Sequence, residues 1–398
     1  MPIMTGKSLI CFGGEDWWYH HPHSKNHLMR RFARAGNRVI FVNSISLGLP
    51  SLRHKDLLPR IARKLRSYAR FARQTEEGIT VVSPPTIPFF GSRAARGANR
   101  LLLSAQLGRL VRQRGLERPI LWIAIPTAVD MVGKFNESLV IYQVSDKYEA
   151  NTMDHATDPI HIRRLHERAI DTADIIFYSG RKLFDEAERG RERSYLLEQA
   201  VDFEHWASAA DSARGVAPEI ARIPRPRIGY FGAIDPWLID QELLRLAARE
   251  RPLWHWVFIG NKARGMEVEN LETVHFIPPV PYEKLPRYAA GFDVCVLPWD
   301  VENSWTSYGS AIKVREYLAT GKPVVISPLQ EYEPMRDVLR IARSRAEFLR
   351  LVDEALNERD QELARARQAA VAAGTWDARA AWVSDLIEAA LAKRQSAS

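Results

Sequence analysis

A lysine in the first turn of a predicted helix is the residue whose chemistry is easiest to read. Residues 310–327 have the pattern of a capped helix, a tight stop and a buried strand, with Ser310 as N-cap and Gly321 after the last turn. Lys313 then lies at the positive end of the helix dipole, which disfavours a cation unless an anion binds beside it. A phosphate group would satisfy this condition. The alternative is a solvent-exposed pair between Lys313 and Glu316.

The elements around this lysine place it at the edge of a sheet. The apolar run at residues 292–298 predicts a buried strand, and residues 299–309 form a polar loop before the helix. The helix therefore begins at the carboxyl end of a strand, which is where open α/β sheets bind ligands. Near residue 232, a Gly-Ala turn after another predicted strand would let the backbone approach phosphates closely.

Strand and helix signals alternate along most of the chain, which predicts an α/β fold with doubly wound parallel sheets. A chain of 398 residues is too long for one ordinary core, so two domains are expected. Residues 207–226 are rich in Ala, Pro and charge and have no periodicity. They are the predicted linker between domains at 1–206 and 227–375, and residues 376–398 form a last helix.

The cysteine content and the lengths of the apolar runs argue against a disulfide-rich secreted protein, a zinc protein and a membrane-spanning protein. The two cysteines, Cys11 and Cys295, lie far apart in apolar runs, which argues against a disulfide framework and against a zinc site. No apolar run reaches the roughly 18 residues of a membrane span, and the N-terminus lacks the layout of a signal peptide. We therefore expect a cytoplasmic protein without a metal site.

The net charge of +8 is concentrated in the first third of the chain. Residues 1–120 carry 21 Lys and Arg against 6 Asp and Glu. Residues 53–73 have basic and apolar positions at helical spacing, which predicts a basic amphipathic helix. Such a helix suits an anionic membrane surface or a nucleic acid. The alternative is a solvated face whose apolar stripe packs in the core.

Four segments resemble the GT-B glycosyltransferases of the glycosyltransferase-4 type, which build bacterial exopolysaccharides and cell-wall polysaccharides. They are residues 16–28, residues 173–205, Arg227-Ile-Gly-Tyr-Phe-Gly-Ala233, and residues 274–285 together with 310–327. The resemblance implies two Rossmann-like domains that face each other across a cleft, with the C-terminal helix crossing back to the first domain. It also implies a nucleotide-sugar donor on the C-terminal domain and an acceptor on the N-terminal domain.

The resemblance assigns the donor contacts residue by residue. The backbone of Ser310, Ala311 and Ile312, with the Lys313 ammonium and the turn at Gly232 and Ala233, would stabilise the diphosphate as the sugar leaves. Glu316 would bind the ribose, and the backbone at Val280 would read the base. Two positions depart from the family. Tyr308 stands where a sugar-contacting glutamate is usual, and Lys262 is the candidate replacement for an absent basic pair.

A second similarity points to the base. The segment Val140-Ile-Tyr-Gln-Val-Ser-Asp146 is similar to the one that carries the acidic base in the inverting glucuronosyltransferase of xanthan synthesis. A carboxylate at the end of a strand could deprotonate the attacking hydroxyl. Asp146 is therefore the first candidate, and Asp16 is the second. His21, within a cluster of histidines at residues 20–27, is a third candidate for base or acceptor ligand.

Together these features predict a metal-independent glycosyltransferase that uses a UDP- or GDP-sugar and no further cofactor. Its expected acceptor is a saccharide or a polyprenyl-diphosphate-linked saccharide, and its expected place is the inner face of the plasma membrane, held there by residues 53–73. One alternative keeps the fold and is a nucleotide-sugar epimerase. The other is a basic nucleic-acid-binding protein, for which no helix-turn-helix or RNA-motif signature is present.

Overall fold

The computed structural model describes residues 2–18, 21–43, 71–87, 92–148, 159–211, 215–302 and 305–397. The chain divides into two compact units. The N-terminal unit consists of Met1–Glu198 together with Trp376–Ser398, and the C-terminal unit consists of Gln199–Thr375. Each unit is built around its own sheet, so the predicted pair of α/β domains with parallel sheets is confirmed.

The N-terminal unit contains an eight-stranded sheet in the order β3-β4-β2-β1-β5-β6-β7-β8. Its strands are β1 (Ser8–Phe12), β2 (Arg38–Val42), β3 (Ala72–Gln74), β4 (Thr80–Val82), β5 (Ile120–Ile123), β6 (Leu139–Val144), β7 (Ile175–Tyr178) and β8 (Ser194–Leu196). Neighbouring strands are parallel except β3 and β4. Within the described residues before 199, the helices are α1 (Ser24–Arg34), α2 (Arg93–Gln113), α3 (Pro159–Thr172) and α4 (Arg181–Asp185).

The inner strands of this sheet are covered on both faces, and this explains their continuous apolar sequences. All residues of β5, β6 and β7 are buried. The opening strand, helix and strand follow the predicted βαβ pattern, because Gly36, with φ of 89°, ends α1 and lets the chain turn directly into β2. Residues 8 and 38 are paired, so β1 and β2 end together at Phe12 and Val42.

The C-terminal unit contains a six-stranded, fully parallel sheet in the order β11-β10-β9-β12-β13-β14. Its strands are β9 (Arg227–Phe231), β10 (His255–Ile259), β11 (Val274–Ile277), β12 (Val294–Leu297), β13 (Val324–Ile326) and β14 (Arg340–Ile341). The helices are α5 (Phe203–Ala207), α6 (Pro218–Ala221), α7 (Gln241–Glu250), α8 (Leu285–Ala289), α9 (Ile312–Ala319), α10 (Arg345–Asn357) and α11 (Gln361–Ala372). The carboxyl ends of the adjacent strands β10, β9 and β12 therefore meet at one edge.

The last helix, α12 (Trp376–Ala397), packs on the N-terminal unit. The Trp376 ring stacks on the His27 ring of α1 with centroids 4.6 Å apart. Ala380, Val383 and Ile387 are fully buried one turn after another. Arg394 near the end of the helix bonds to Asp174 at 2.6 Å, which holds both ends of α12 against this unit.

Two sequence predictions about the organisation of the chain need correction. The first domain ends at residue 198, not 206, and residues 207–226 are not a free linker. Trp206, Ala217, Ile220 and Ile223 are buried in the hydrophobic core of the C-terminal unit. Helices of four or five residues, such as α5 and α6, are too short to produce a hydrophobic period, so composition alone suggested a linker.

The predicted basic helix at residues 53–73 lies outside the described residues up to residue 70. Its last residues are not helical, because Ala72–Gln74 forms strand β3. Among the helices of the described ranges, none is long and apolar enough to cross a bilayer.

Arg367 fixes the end of helix α9 within the C-terminal unit. The side chain is 1% exposed and forms two bonds of 2.6 Å with the carboxylate of Glu358. It also donates to the backbone oxygens of Gly321 and Val338, at 3.2 and 3.0 Å. One guanidinium thereby ties α11 to the turn that follows α9 and to the segment before β14.

Replacing Arg367 with Met is expected to lower the free energy of unfolding of the C-terminal unit by about 3–5 kcal/mol, because the change leaves a buried carboxylate without its main partner. Arg365→Met, an exposed position on the same helix, is the matched control and should change stability by less than about 0.5 kcal/mol. Guanidinium titrations of both variants measure the difference. Equal losses in the two variants would contradict this role of Arg367.

Candidate functional site

Helix α9 begins without a side-chain cap. The structure starts the helix at Ile312 with Ala311 as the N-cap, so the prediction of Ser310 as N-cap is wrong by one residue. Alanine has no oxygen to accept from the first-turn N–H groups. The predicted stop is confirmed, because Gly321 follows the last turn with φ of 76°.

The residues before the helix are held through their backbone. The Ser310 oxygen accepts a bond from Gln199 Nε2 at 3.2 Å, and the Ala311 oxygen accepts one from the Tyr332 hydroxyl at 2.6 Å. Ala311 is 6% exposed, whereas Ile312 is partly exposed at the first helical position. The two carbonyl bonds fix the direction in which α9 starts.

Lys313 is the second residue of α9 and lies between two aromatic rings. Its Nζ is 5.0 Å from the ring centroid of Tyr230 and 5.1 Å from that of Trp299. The Tyr230 hydroxyl is 3.5 Å from the same atom. Both rings present electron-rich faces that attract an ammonium. Burial lowers the pKa of Lys313 to about 8, against the opposing effect of Glu316.

The absence of a side chain at Gly232 leaves space for the Lys313 ammonium. A Cβ at this position would stand 2.7 Å from Lys313 Nζ, and the φ of 136° also favours glycine. Gly260 at the end of the neighbouring strand is equally constrained, because its Cβ would meet the Gly232 oxygen at 1.9 Å. Backbone therefore packs on backbone where β9 and β10 end. Ala233 is exposed, and its oxygen accepts a bond from the Tyr230 hydroxyl at 2.7 Å.

Trp299 joins this group from the end of β12. Its Nε1 donates to the Tyr230 hydroxyl at 3.4 Å. Gly309 packs against its indole, since a Cβ there would be 2.6 Å from the ring. Tyr308, the position that departs from the family, closes a short 3-10 helix directly before Gly309 and is partly exposed. The structure thus brings Gly232, Lys313, Tyr230 and Trp299 together, of which the sequence analysis had assigned only the first two.

Lys262 and Val280 have other surroundings. Lys262 follows β10 and pairs with the turn after β9 through an isolated bridge to Ile234. Its Nζ contacts Glu269 at 2.9 Å and lies 4.8 Å from the Phe276 ring centroid. Val280 is 8% exposed and belongs to the core of the C-terminal unit. Lys262 is thus an ion-paired side chain, and the Val280 side chain packs in the core.

Glu316 is buried in a second polar cluster, one turn after Lys313. The side chain of Tyr282 bonds to its carboxyl, and Trp206 is a further partner. Trp206 Nε1 donates to the Tyr282 hydroxyl at 3.0 Å, and that hydroxyl donates to Asp202 at 3.3 Å. Burial raises the pKa of Glu316 to about 8, with a contribution from Asp202 in the same direction. The Glu316 carboxyl is therefore mostly protonated at neutral pH.

His205 completes this cluster. Its ring stacks on Tyr282 at 5.1 Å, and its Nε2 lies 3.2 Å from the Tyr282 backbone oxygen. The sequence analysis quoted Asp202, His205 and Tyr282 within family segments but gave them no role. The sequence signal that could have identified them is the closeness of Asp202 and His205 to Trp206, since a tryptophan followed by no other apolar run is a candidate for a buried anchor.

Asp146 lies just after β6 in the N-terminal unit and is partly buried. Burial raises its pKa to about 6, and Glu15 contributes in the same direction while Lys25 opposes it. Lys25 is itself almost fully buried, with its side chain 4% exposed and its Nζ 2.8 Å from Glu15 Oε1. A carboxylate, a lysine and a second carboxylate thus form one electrostatic group, and the sequence analysis missed its two partners.

Gln143 explains why Lys25 lies there. Its Nε2 donates to Ser24 Oγ at 2.7 Å and to Ser179 Oγ at 3.0 Å, while Trp122 Nε1 donates to its oxygen at 3.0 Å. These buried bonds join the start of α1 to the ends of β6 and β7. Because Lys25 is the next residue after Ser24, the same bonds direct it towards Asp146.

The other predicted candidates lie between β1 and α1 or on α1 itself. Asp16 Oδ1 accepts from the Trp18 backbone N–H at 3.0 Å, which shapes the turn after β1. His21 is partly exposed, and it precedes α1. His27 is buried, and burial together with nearby arginines lowers its pKa well below the usual value. His20 lies outside the described residues. Within the described ranges, no group of three or more His, Cys, Asp or Glu side chains could hold a metal ion.

The chain is similar to known glycosyltransferases in sequence over part of its length and in fold over nearly all of it. Residues 225–358 match the family of group 1 glycosyl transferases. Comparison with curated proteins finds no match. Among solved structures, sucrose-phosphate synthase from Thermosynechococcus elongatus is similar with a TM-score of 0.68 at 15% identity, covering 98% of this chain and 100% of that chain.

Two further structures have similar scores. HepE from Anabaena, in complex with UDP and glucose, has a TM-score of 0.64 at 11% identity over 97% of this chain and 100% of its own. The α,α-trehalose 6-phosphate synthase from Burkholderia multivorans has a TM-score of 0.62 at 11% identity over 99% and 100%. The protein therefore has the GT-B fold and carries a glycosyltransferase group 1 domain at residues 225–358.

Proposed function

We propose that this protein transfers a sugar from a nucleoside-diphosphate donor to a saccharide or lipid-linked saccharide, as glycosyltransferases of the glycosyltransferase-4 type do in polysaccharide synthesis. The observation that carries the proposal is Lys313, held between Tyr230 and Trp299 at the uncapped start of α9 and against Gly232. These groups lie inside the glycosyltransferase group 1 domain. The complexes of HepE with UDP and with UDP-glucose support the same class of donor.

The chemistry follows from where charge develops. The bond between the anomeric carbon and the diphosphate oxygen breaks, and the oxygen of the acceptor hydroxyl forms the new bond. Negative charge grows on the departing diphosphate, and the Lys313 ammonium with the first-turn N–H groups of α9 stabilises it. The exposed turn at Gly232 and Ala233 brings further backbone close to the phosphates.

We assign the remaining donor contacts to the nucleoside and the sugar. Glu316 binds the ribose hydroxyls, because a largely protonated carboxyl can both donate and accept hydrogen bonds. The backbone at Val280 reads the base. Tyr308 stands at the position of the family's sugar-contacting glutamate, and Lys262 is the candidate replacement for the family's basic pair. A UDP- or a GDP-sugar is the expected donor.

We assign the general base to Asp146, as in an inverting transfer. The proton of the acceptor hydroxyl passes to its carboxylate as the hydroxyl oxygen attacks. A pKa of about 6 leaves most of the carboxylate ionised at neutral pH while keeping it basic enough to accept a proton. Asp16 and His21 are the alternative bases.

The setting of the reaction is part of the same proposal. We expect a cytoplasmic enzyme without a required metal ion, bound to the inner face of the plasma membrane through residues 53–73. A polyprenyl-diphosphate-linked acceptor would meet the enzyme at that surface. Transfer that persists in excess chelator is the expected result for metal independence.

The Lys313→Ala variant tests the donor assignment. With a UDP- or GDP-sugar and a glycolipid acceptor, we expect the wild-type protein to release nucleoside diphosphate and the variant to lose about 100-fold in turnover. Calorimetry with UDP, GDP, ADP and dTDP measures donor affinity, and Lys284→Ala, an exposed lysine of the same unit, is the control. Unchanged turnover in Lys313→Ala would exclude the assignment. Conversion of the donor without an acceptor would indicate an epimerase instead.

The pH dependence of nucleotide binding tests the charge of the lysine. Its ammonium is present below a pKa of about 8 and lost above it, so the Kd for nucleoside diphosphate should rise about 10-fold between pH 7 and pH 9. Lys313→Arg keeps its charge over this range and should show a clearly smaller rise, because only Glu316 then loses its proton near pH 8. If the arginine variant shows the same rise, the titrating group is Glu316 and the prediction for Lys313 is wrong.

The Asp146→Asn variant tests the base. We expect kcat to fall by about 10²–10⁴-fold with unchanged nucleotide affinity, because the amide cannot accept the proton. In the wild-type protein kcat/KM should fall as pH drops below about 6, where Asp146 gains a proton. Asp16→Asn is the comparison variant, and proton NMR of the product gives the anomeric outcome. A larger loss in Asp16→Asn, or retention of configuration, would overturn this role of Asp146.

A further inference from the structure

Two tryptophans of the C-terminal unit lie against each other in the loops that follow β9 and β12. The ring centroids of Trp237 and Trp305 are 4.8 Å apart, and the ring planes are inclined by 52°. Both residues are partly exposed, whereas Trp254 and Trp256 are buried in the core of the same unit. A pair of large aromatic rings that remains partly accessible at the edge of a sheet is suited to binding a ligand with an apolar face.

The loop that carries Trp237 is joined to the rings that flank the Lys313 ammonium. Ile239 forms an isolated antiparallel bridge with Trp299, the first of these rings. Burial raises the pKa of Tyr230, the second ring, and the negative charge of Asp235 acts in the same direction. The Asp235 carboxylate therefore lies near the Tyr230 ring, and it precedes Trp237 by two residues.

The loop that carries Trp305 is joined to the same group. Thr306 Oγ1 donates to the backbone oxygen of Asp300 at 2.6 Å, and Asp300 directly follows Trp299. The Thr306 backbone oxygen would stand 3.0 Å from a Cβ at Gly309, the residue that packs against the Trp299 indole. Both loops are thus held by contacts with the end of β12, and these contacts fix the position of the tryptophan pair.

We propose that the pair of Trp237 and Trp305 stacks on the pyranose ring of the donor sugar. This inference rests on the proposed donor site and deepens it, because the sugar is attached directly to the diphosphate that Lys313 would bind. The C–H groups on one face of a pyranose form an apolar patch, which packs on the electron-rich face of an indole. The carboxylates of Asp235 and Asp300 in the same loops can accept hydrogen bonds from the sugar hydroxyls.

The nucleobase is a less suitable occupant of this pair. The ribose separates the base from the diphosphate, and the proposed ribose contact is Glu316, which bonds with Tyr282 and Trp206 in the other polar cluster. A second alternative is that the tryptophan pair only holds the two loops together. Neither alternative gives a loss of affinity that is confined to the sugar nucleotide.

The test compares sugar nucleotides with their own nucleoside diphosphates by calorimetry, using the full chain without acceptor. The ligands are UDP-glucose, UDP-galactose and UDP, together with GDP-mannose and GDP. For the sugar nucleotide that the wild type binds most tightly, we expect Trp237→Ala and Trp305→Ala to lose about 10-fold in affinity. The affinity for the matching nucleoside diphosphate should change less than about 2-fold, which also shows that the variants are folded. Trp305→Phe keeps an aromatic ring and should recover most of the lost affinity.

A matched control comes from the N-terminal unit. Trp382 is also partly exposed, and its ring contacts those of Phe177 and Tyr195. Trp382→Ala should leave both affinities unchanged. The inference is overturned if both tryptophan variants bind the sugar nucleotide like the wild type, or if their affinity for the nucleoside diphosphate falls equally. A wild type that binds neither UDP nor GDP would instead contradict the proposed donor site, and this inference with it.

Discussion

A partly buried cation at the N-terminal end of a helix is the constraint around which the C-terminal unit is arranged. The Lys313 ammonium lies at the positive end of α9, where the helix dipole opposes it, and burial opposes it further. Two aromatic ring faces attract the ammonium and offset these costs, and Gly232 leaves room for the side chain. The sheet order makes this arrangement possible, because β10, β9 and β12 are neighbours and end at the same edge. Tyr230, Gly232, Gly260 and Trp299 all come from those three ends.

A carboxylate one turn away would be the simple solution for such a lysine, but Glu316 does not supply a full negative charge at neutral pH. Burial raises the pKa of its carboxyl, and the nearby Asp202 raises it further. Asp202 and Trp206 belong to the last residues of the predicted first domain, which was expected to end at residue 206. Their bonds to Tyr282 are the physical reason that the boundary lies at residue 198, since this segment completes the polar cluster of the C-terminal unit.

The features that the sequence predicted are those that depend on local pattern. Apolar runs of four to six residues identified most strands, and a glycine after a helix identified the stop at Gly321. The features it missed depend on distant residues. Lys25 also stands in the first turn of a helix, yet its burial follows from Gln143, which is 119 residues from its bonded partner Ser24. Ser310 was chosen as N-cap for its side chain, whereas carbonyl bonds from Gln199 and Tyr332 decide where α9 starts.

Both units contain a lysine in the first turn of a helix, but the charge of this lysine is balanced differently in the two units. Lys25 and Lys313 are each the second residue of a helix that begins at the carboxyl ends of parallel strands. Lys25 is almost fully buried, and Lys313 is partly buried. Lys25 is neutralised by Glu15 at 2.8 Å and restrains the rise in the pKa of Asp146. The carboxyl one turn from Lys313 is mostly protonated, and the faces of two aromatic rings lie beside its ammonium. A lysine whose charge is balanced by an ion pair is suited to adjusting the pKa of a neighbouring base. A lysine without a fully charged partner is suited to binding an anionic ligand. This difference in charge balance supports our proposal that the diphosphate binds to the C-terminal unit and that the proton acceptor lies in the N-terminal one.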